Sequence, residues 1–180
     1  MRKSSNQGFT LTELLCVLTI IGILSAILLP TILRIIGNVR VSIATSQIAL
    51  QGGASRIDAM AEGGTPKTLC VGNFEGKIRY RSITGTDCEA VKDWQYIGGR
   101  VQIDLANSTL RSKSGVAGNS SSDDRIYRLA YADTKAGIGA SYGQLGRLTV
   151  IHPWTDNKKC IFLFGVDGRT DIRENKQCNR

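Results

Sequence analysis

The segment that most constrains this chain runs from Phe9 to Leu29, 21 residues whose one ionisable side chain is Glu13. A helix of that length rises about 30 Å, the thickness of a bilayer's hydrocarbon core. The leader before it, "MRKSSNQG", is short, basic and polar. Basic flanks stay on the cytoplasmic side, so the rest of the chain is expected to face outward. A cleaved secretory signal would place small residues in an A-x-A pattern after the apolar run. Here "PTILRIIGNVR" follows. The small residue at the polar-to-apolar boundary is Gly8, ahead of the run, so any cut there leaves the apolar segment on the mature chain.

Helical periodicity continues beyond the apolar run. Ile36, Val39, Ile43, Leu50, Ala54, Ile57 and Ala61 recur at helical steps and share a face, while Ser42, Ser46, Gln47, Gln51, Arg56 and Asp58 largely occupy others. The pattern predicts one helix from about Thr10 to Ala61, bent near Pro30 and weakened at Gly52-Gly53. Its second half is expected to lay that apolar stripe on a soluble domain, and "EGGTP" at 62–66 ends it.

From Pro66 the texture changes to short runs between Gly, Asn, Asp and Ser clusters. "KTLCV", "KIRYRSI", "RVQIDL", "RIYRLAYA", "LGRLTVI" and "KCIFLFGV" read as strands, and two of them alternate as half-buried antiparallel strands do. Asp167-Gly168 is a tight-turn signal, so "CIFLFGV" and "RTDIRE" are expected to pair. The stretch 112–124, "SKSGVAGNSSSDD", reads as an exposed loop.

Hydrophobic residues are 42% of the chain, with 20 Gly and 3 Pro, which suits a core built from strands and turns. The net charge of +8 suits an anionic partner such as nucleic acid, lipid or polysaccharide, or it serves solubility alone. Cys16 lies in the apolar run and reads as a small packing residue. Cys70 and Cys88, and likewise Cys160 and Cys178, are 18 residues apart. With no CxxC spacing and one His, these argue against a metal site and for two local disulfides in an oxidising compartment. Each would stabilise by about 3 kcal/mol in the chain-entropy model. Four cysteines permit three pairings, which spacing does not resolve.

The leader, Gly8, Phe9 and "TLTELL" with Glu13, followed by "IIGILSAILLP", resemble a type IV prepilin. The resemblance implies an α+β pilin fold, with a long N-terminal helix packed on a C-terminal antiparallel β domain. Residues 1–8 would be the leader, 9–30 the transmembrane and assembly helix, 31–62 its amphipathic continuation and 63–180 the extracytoplasmic β-rich domain. It also implies cleavage after Gly8 and N-methylation of Phe9 by a prepilin peptidase, then passage from the inner membrane, with the domain in the periplasm, into a filament of pilins or pseudopilins. Glu13 of an entering subunit would pair with the new amine of a neighbour's Phe9. Each charge is costly alone in lipid, so pairing supports both recruitment and register.

"SRIDAMAEGGTPKTLC", "CEAVKDWQYIGGRVQIDL" and "CIFLFGVDGR" are further similar to the minor pilins called FimT and their secretion-system siblings called GspH. Some FimT-like proteins take up DNA through a C-terminal Gly-Arg-x-Arg motif. Here "GRTDIR" supplies Gly168 and Arg169, but the second arginine, Arg173, comes two positions late and after Asp171. Arg169 and Arg173 share a face of a strand, as does Asp171. Lys158, Lys159, Lys176 and Arg180 lie near in sequence and could supply phosphate contacts.

Other features have plainer readings. His152, without a partner arrangement, reads as structural. Trp94, Tyr96 and Trp154 could stack on bases but read as core residues. Asp123-Asp124 reads as a solvated loop, and "NST" and "NSS" are matches common by chance. With no phosphate loop, nucleophile elbow or ligand cluster, the expectation is a filament subunit without catalytic residues or cofactor.

Overall fold

The structure, a computed structural model, describes residues 10–63, 65–110, 112–113, 125–134, 137–140, 146–164 and 168–179. Gly8, Phe9, Asp167, Arg180 and most of the expected 112–124 loop, Asp123-Asp124 included, lie outside these.

Helix α1 (Leu11–Ala61) occupies the first third of the chain. It continues through Pro30 and through Gly52-Gly53, where weakening was expected. Pro30 has no N–H, so one backbone bond is missing there, and the surrounding apolar turns keep the helix going.

The face that α1 turns to the β domain is not the expected one. Its buried residues are Gly37, Val41, Ala44, Thr45, Ile48, Gly52, Ser55 and Ala59. Val39, Ile43, Leu50 and Ile57 are 51%, 59%, 73% and 64% exposed, and Ala54 and Ala61 are exposed too. At about 100° per residue, the expected stripe lies on the side of the helix opposite the buried one. The physical reason is closeness of packing. Small side chains let the helix axis approach the strands, and the two buried hydroxyls are satisfied within the helix. Thr45 Oγ1 donates to Val41 O at 2.7 Å and Ser55 Oγ to Gln51 O at 2.9 Å.

Two antiparallel sheets complete the domain. One has the order β3-β2-β1-β6-β5, with β7 also on β6. Its strands are β1 (Lys67–Phe74), β2 (Lys77–Thr84), β3 (Gln95–Ile97), β5 (Ser112–Lys113), β6 (Ile126–Thr134) and β7 (Gly137–Ala140). The other, of order β10-β9-β8-β4, contains β4 (Gln102–Ile103), β8 (Gly146–His152), β9 (Thr155–Leu163) and β10 (Thr170–Glu174). The expected β9–β10 hairpin forms, with Thr170 opposite Leu163 and Glu174 opposite Lys159.

"RVQIDL" keeps two strand residues because Asp104 turns the chain. Its carboxylate accepts from Ala106 N at 3.1 Å and Asn107 N at 3.3 Å. Ser112–Lys113, expected in a loop, pairs with β6. Strands β3 and β7 were not anticipated.

The core joins Val41, Ala44, Ile48 and Ala59 of α1 to Leu69, Val71, Tyr127, Leu129, Tyr131, Leu148, Val150 and Ile161 of the sheets. Asn73 ties the sheets together, accepting from Ile103 N at 2.9 Å and donating to Ile103 O at 3.2 Å. The disulfides join Cys70 to Cys88 and Cys160 to Cys178. The first ties the segment after β2 to β1 and, with Ile126, forms a cluster against which Ile83, Val91 and Trp94 pack. The second fastens the C-terminal turn (Asn175–Cys178) to β9.

Candidate assembly helix and candidate nucleic-acid interface

Four N–H groups at any helix start lack partners within the helix. In α1, Thr10 is the N-cap and Glu13 the third helical residue, and they close a capping box. Thr10 Oγ1 accepts from Glu13 N at 3.3 Å, and Glu13 Oε2 accepts from Thr10 N at 3.4 Å and from Thr10 Oγ1 at 3.2 Å. Glu13 thus has a local structural role that the sequence reading missed. The signal was present, since T-x-x-E ahead of an apolar run is the sequence form of this cap. The positive end of the helix macrodipole also favours a carboxylate there.

From Leu11 to Ile36 no residue of α1 is buried. By length and composition α1 can cross a membrane. Free Cys16 is exposed on this segment. Its apolar surface passes through Ile32 and Ile35 into the outer stripe of Val39, Ile43, Leu50 and Ile57. The helix therefore has two apolar sides above Gly37, one taken by its own β domain and one open.

The cations at the C-terminal end are largely neutralised. Lys158 Nζ lies 2.9 Å from Asp104 Oδ2, and Lys159 Nζ lies 2.5 Å from Glu174 Oε1 and 3.2 Å from Ser42 Oγ. Burial pushes the Asp104 carboxyl up, but hydrogen bonds from Asn107 and Lys158 and the Lys158 charge hold it below its ordinary value. Arg173 Nε is 2.9 Å from Asp171 Oδ2, so the intervening acid of "GRTDIR" meets the second arginine directly. The Arg173 guanidinium also lies over Phe162, 4.9 Å from the ring centroid, and 6.0 Å from that of Phe164. Lys176 and Arg169 are exposed, and Phe164 N donates to Arg169 O at 3.0 Å. Arg169 immediately precedes β10, Arg173 lies on it and Lys176 is in the turn that follows, so the three flank or occupy the edge strand of this sheet.

The lone histidine is structural in its contacts. His152 is 2% exposed, with Nε2 2.9 Å from Gly99 O and Nδ1 accepting from Trp154 N at 3.2 Å. Burial holds its pKa down, and nearby Arg40 and Arg100 add to that, against the opposing Gly99 bond.

Of the aromatic residues expected in the core, Tyr96 lies at the surface and Trp154 is only partly covered, while Trp94 packs against the cluster around the Cys70–Cys88 disulfide. Tyr96 is 52% exposed, and Trp94 and Trp154 are half-buried. Arginines cover their faces: Arg79 lies 4.5 Å from Trp94 and 4.8 Å from Phe74, while Arg40 and Arg100 lie 5.5 and 6.0 Å from Trp154. A guanidinium is weakly hydrated and attracted to a ring face, so it can share a surface that an aliphatic core would have covered.

Residues 3–29 match the model of the prokaryotic N-terminal methylation motif. No curated protein and no solved structure matches the chain. The match ends at Leu29, ahead of every segment on which the FimT and GspH resemblance rests. With the long apolar helix packed on an antiparallel β domain, the motif supports a type IV pilin-like or pseudopilin-like protein.

Proposed function

We propose that the chain is a minor type IV pilin, a structural subunit of the pilus or its tip rather than an enzyme. The observation that carries this reading is the second apolar side of α1. Val39, Ile43, Leu50 and Ile57 are more than half exposed on a helix whose opposite face is already filled. Exposing such a stripe in a lone subunit is unfavourable, and helices of neighbouring subunits offer matching surfaces to cover it. The motif at residues 3–29 supplies the second support, since it precedes this helix directly. In this reading a prepilin peptidase cuts after Gly8, Phe9 is methylated, and Glu13 meets a neighbour's processed N-terminus.

The test separates assembly from folding. Ile43→Asp with Leu50→Asp should leave the thermal midpoint of the detergent-solubilised chain within experimental error while removing it from sheared filaments. Normal incorporation of that variant would sink the reading. A GspH-like subunit of a type II secretion pseudopilus is the alternative. Loss of secretion with intact pili on deletion would select it.

DNA capture at the C-terminal end is a narrower reading, motivated by Arg173 on edge strand β10 with Arg169 just before it and Lys176 just after. Asp171 already pairs with Arg173, and Glu174 with neighbouring Lys159, so binding would have to displace carboxylates and be strongly salt-dependent. Arg169→Gln with Arg173→Gln should abolish a gel shift of duplex DNA, and unchanged binding would remove these residues from the site.

A further inference from the structure

Gly37 is the first buried residue of α1, so the β domain meets the helix there and not before. A β carbon on Gly37 would lie 3.1 Å from Thr155 Cγ2 and 3.2 Å from His152 Nδ1, which places the Pro153-Trp154 turn at this level. The segment after β3 arrives at the same place. Arg40 Cδ lies 2.9 Å from where a Gly99 β carbon would sit, and Gly99 takes a left-handed φ of 100°. Arg100 follows with φ 58°, a conformation uncommon for a residue with a side chain. Arg40 and Arg100 thereby reach the same Trp154 ring, at 5.5 and 6.0 Å.

The height of this cluster along the helix is set by the membrane segment. Phe9 to Leu29 spans about 30 Å, which would put Arg34 about 7 Å beyond the outer edge of the hydrocarbon, among the headgroups. Arg40 is six residues on, about 9 Å higher along the axis. Headgroups occupy roughly 5–7 Å on each side of a bilayer, and charges are felt over a Debye length of about 8 Å beyond them. The nearby β1–β2 hairpin, where Gly76 approaches Gln102, adds Glu75 and Lys77, and Asp156 is the second residue of β9. Arg34, Arg40, Arg100 and Lys77 thus outnumber Glu75 and Asp156 here, and among the described residues no ion pair engages Arg34, Arg40 or Arg100.

We infer that Arg34, Arg40, Arg100 and Trp154 form a docking surface for anionic phospholipid headgroups, holding the membrane-resident subunit upright before assembly. Arginines bind lipid phosphate by charge-assisted hydrogen bonds, and a tryptophan with one wet edge suits the headgroup level. This inference rests on the membrane-anchored reading of α1.

The test uses the full-length chain in nanodiscs of phosphatidylcholine, or of phosphatidylcholine mixed with phosphatidylglycerol, each carrying a headgroup nitroxide. The Trp154 signal is the difference between the native chain and Trp154→Phe. Quenching of that signal should be stronger in the mixed discs, fall at high salt, and lose its lipid dependence in Arg40→Gln with Arg100→Gln. Lys67→Gln with Arg169→Gln, at the opposite end of the domain, should keep it. Thermal melts identify any variant that misfolds. Equal quenching in both lipids by the native chain would overturn the inference even where the chain co-elutes with the discs. If the arginine variant then also fails to enter filaments, the patch is a subunit contact. Failure to co-elute would overturn the membrane reading itself.

Discussion

The hydroxyl of Tyr131 sits directly over Gly52, where a β carbon would come within 2.8 Å of it. Tyr131 is fully buried on β6, and its hydroxyl has no hydrogen-bond partner. Burial also pushes its pKa far above the ordinary tyrosine range, so the phenol stays neutral. Gly52 is therefore a packing residue, and the cost of glycine in a helix is offset by the close approach of the ring.

Gly52→Ala should destabilise, although alanine is the better helix former by about 1 kcal/mol. Overpacking of this kind costs about 1–3 kcal/mol, so a net loss near 1 kcal/mol is expected in denaturant melts. Tyr131→Phe alone should be neutral or slightly stabilising, because it removes an unpaired buried hydroxyl. Combined with Gly52→Ala it should recover most of the loss, and simple additivity in that cycle would reject the contact.

Thr10 and Glu13 allow capping to be separated from charge. Thr10→Ala should weaken the helix start by about 1 kcal/mol and leave filament assembly intact. Glu13→Gln keeps a reciprocal acceptor for the cap but removes the carboxylate, and it should block assembly. The check is the yield of each variant in sheared filaments beside its helicity by circular dichroism. Assembly by Glu13→Gln at the native level would show that capping is the residue's main role.

His152 predicts a pH dependence. Its folded pKa is held below the ordinary value of 6.5, so the unfolded chain takes up a proton more readily. The histidine's contribution is complete above pH 6.5 and is lost as pH falls below it towards the depressed folded value. Unfolding free energies measured from pH 8 to pH 5 should decline in the native chain. The decline should be shallower in His152→Gln.

Each disulfide closes a short loop, so Cys70→Ala with Cys88→Ala should cost about 3 kcal/mol in the chain-entropy model. Cys160→Ala with Cys178→Ala should cost a similar amount and free the C-terminal turn, which the disulfide and a hydrogen bond from Arg147 to Asn179 O at 2.6 Å both hold. Limited proteolysis near Lys176 should speed up in the second variant. Equal proteolysis in both would show that the Arg147 bond suffices.

The local terms were readable from the chain alone. A 21-residue apolar run specifies a long helix wherever it lies, and T-x-x-E marks its start. The turn signal at Gly168 and the flanking apolar runs specify the β9–β10 pair, because register in a hairpin is a short-range property. What the chain could not disclose was which side of α1 is inside. Both sides are apolar, and hydropathy weights large aliphatics, whereas the β sheets select small residues that permit close approach. The partners of the cations were equally hidden, since Asp104 meets Lys158 across 54 positions and Glu174 meets Lys159 across a strand pair. The membrane helix and its cap were thus determined by the sequence itself, through interactions that span one or two turns. Which helix face stays open, and which arginines have no carboxylate partner among the described residues, were decided by tertiary packing, because both depend on surfaces that meet only after the chain has folded.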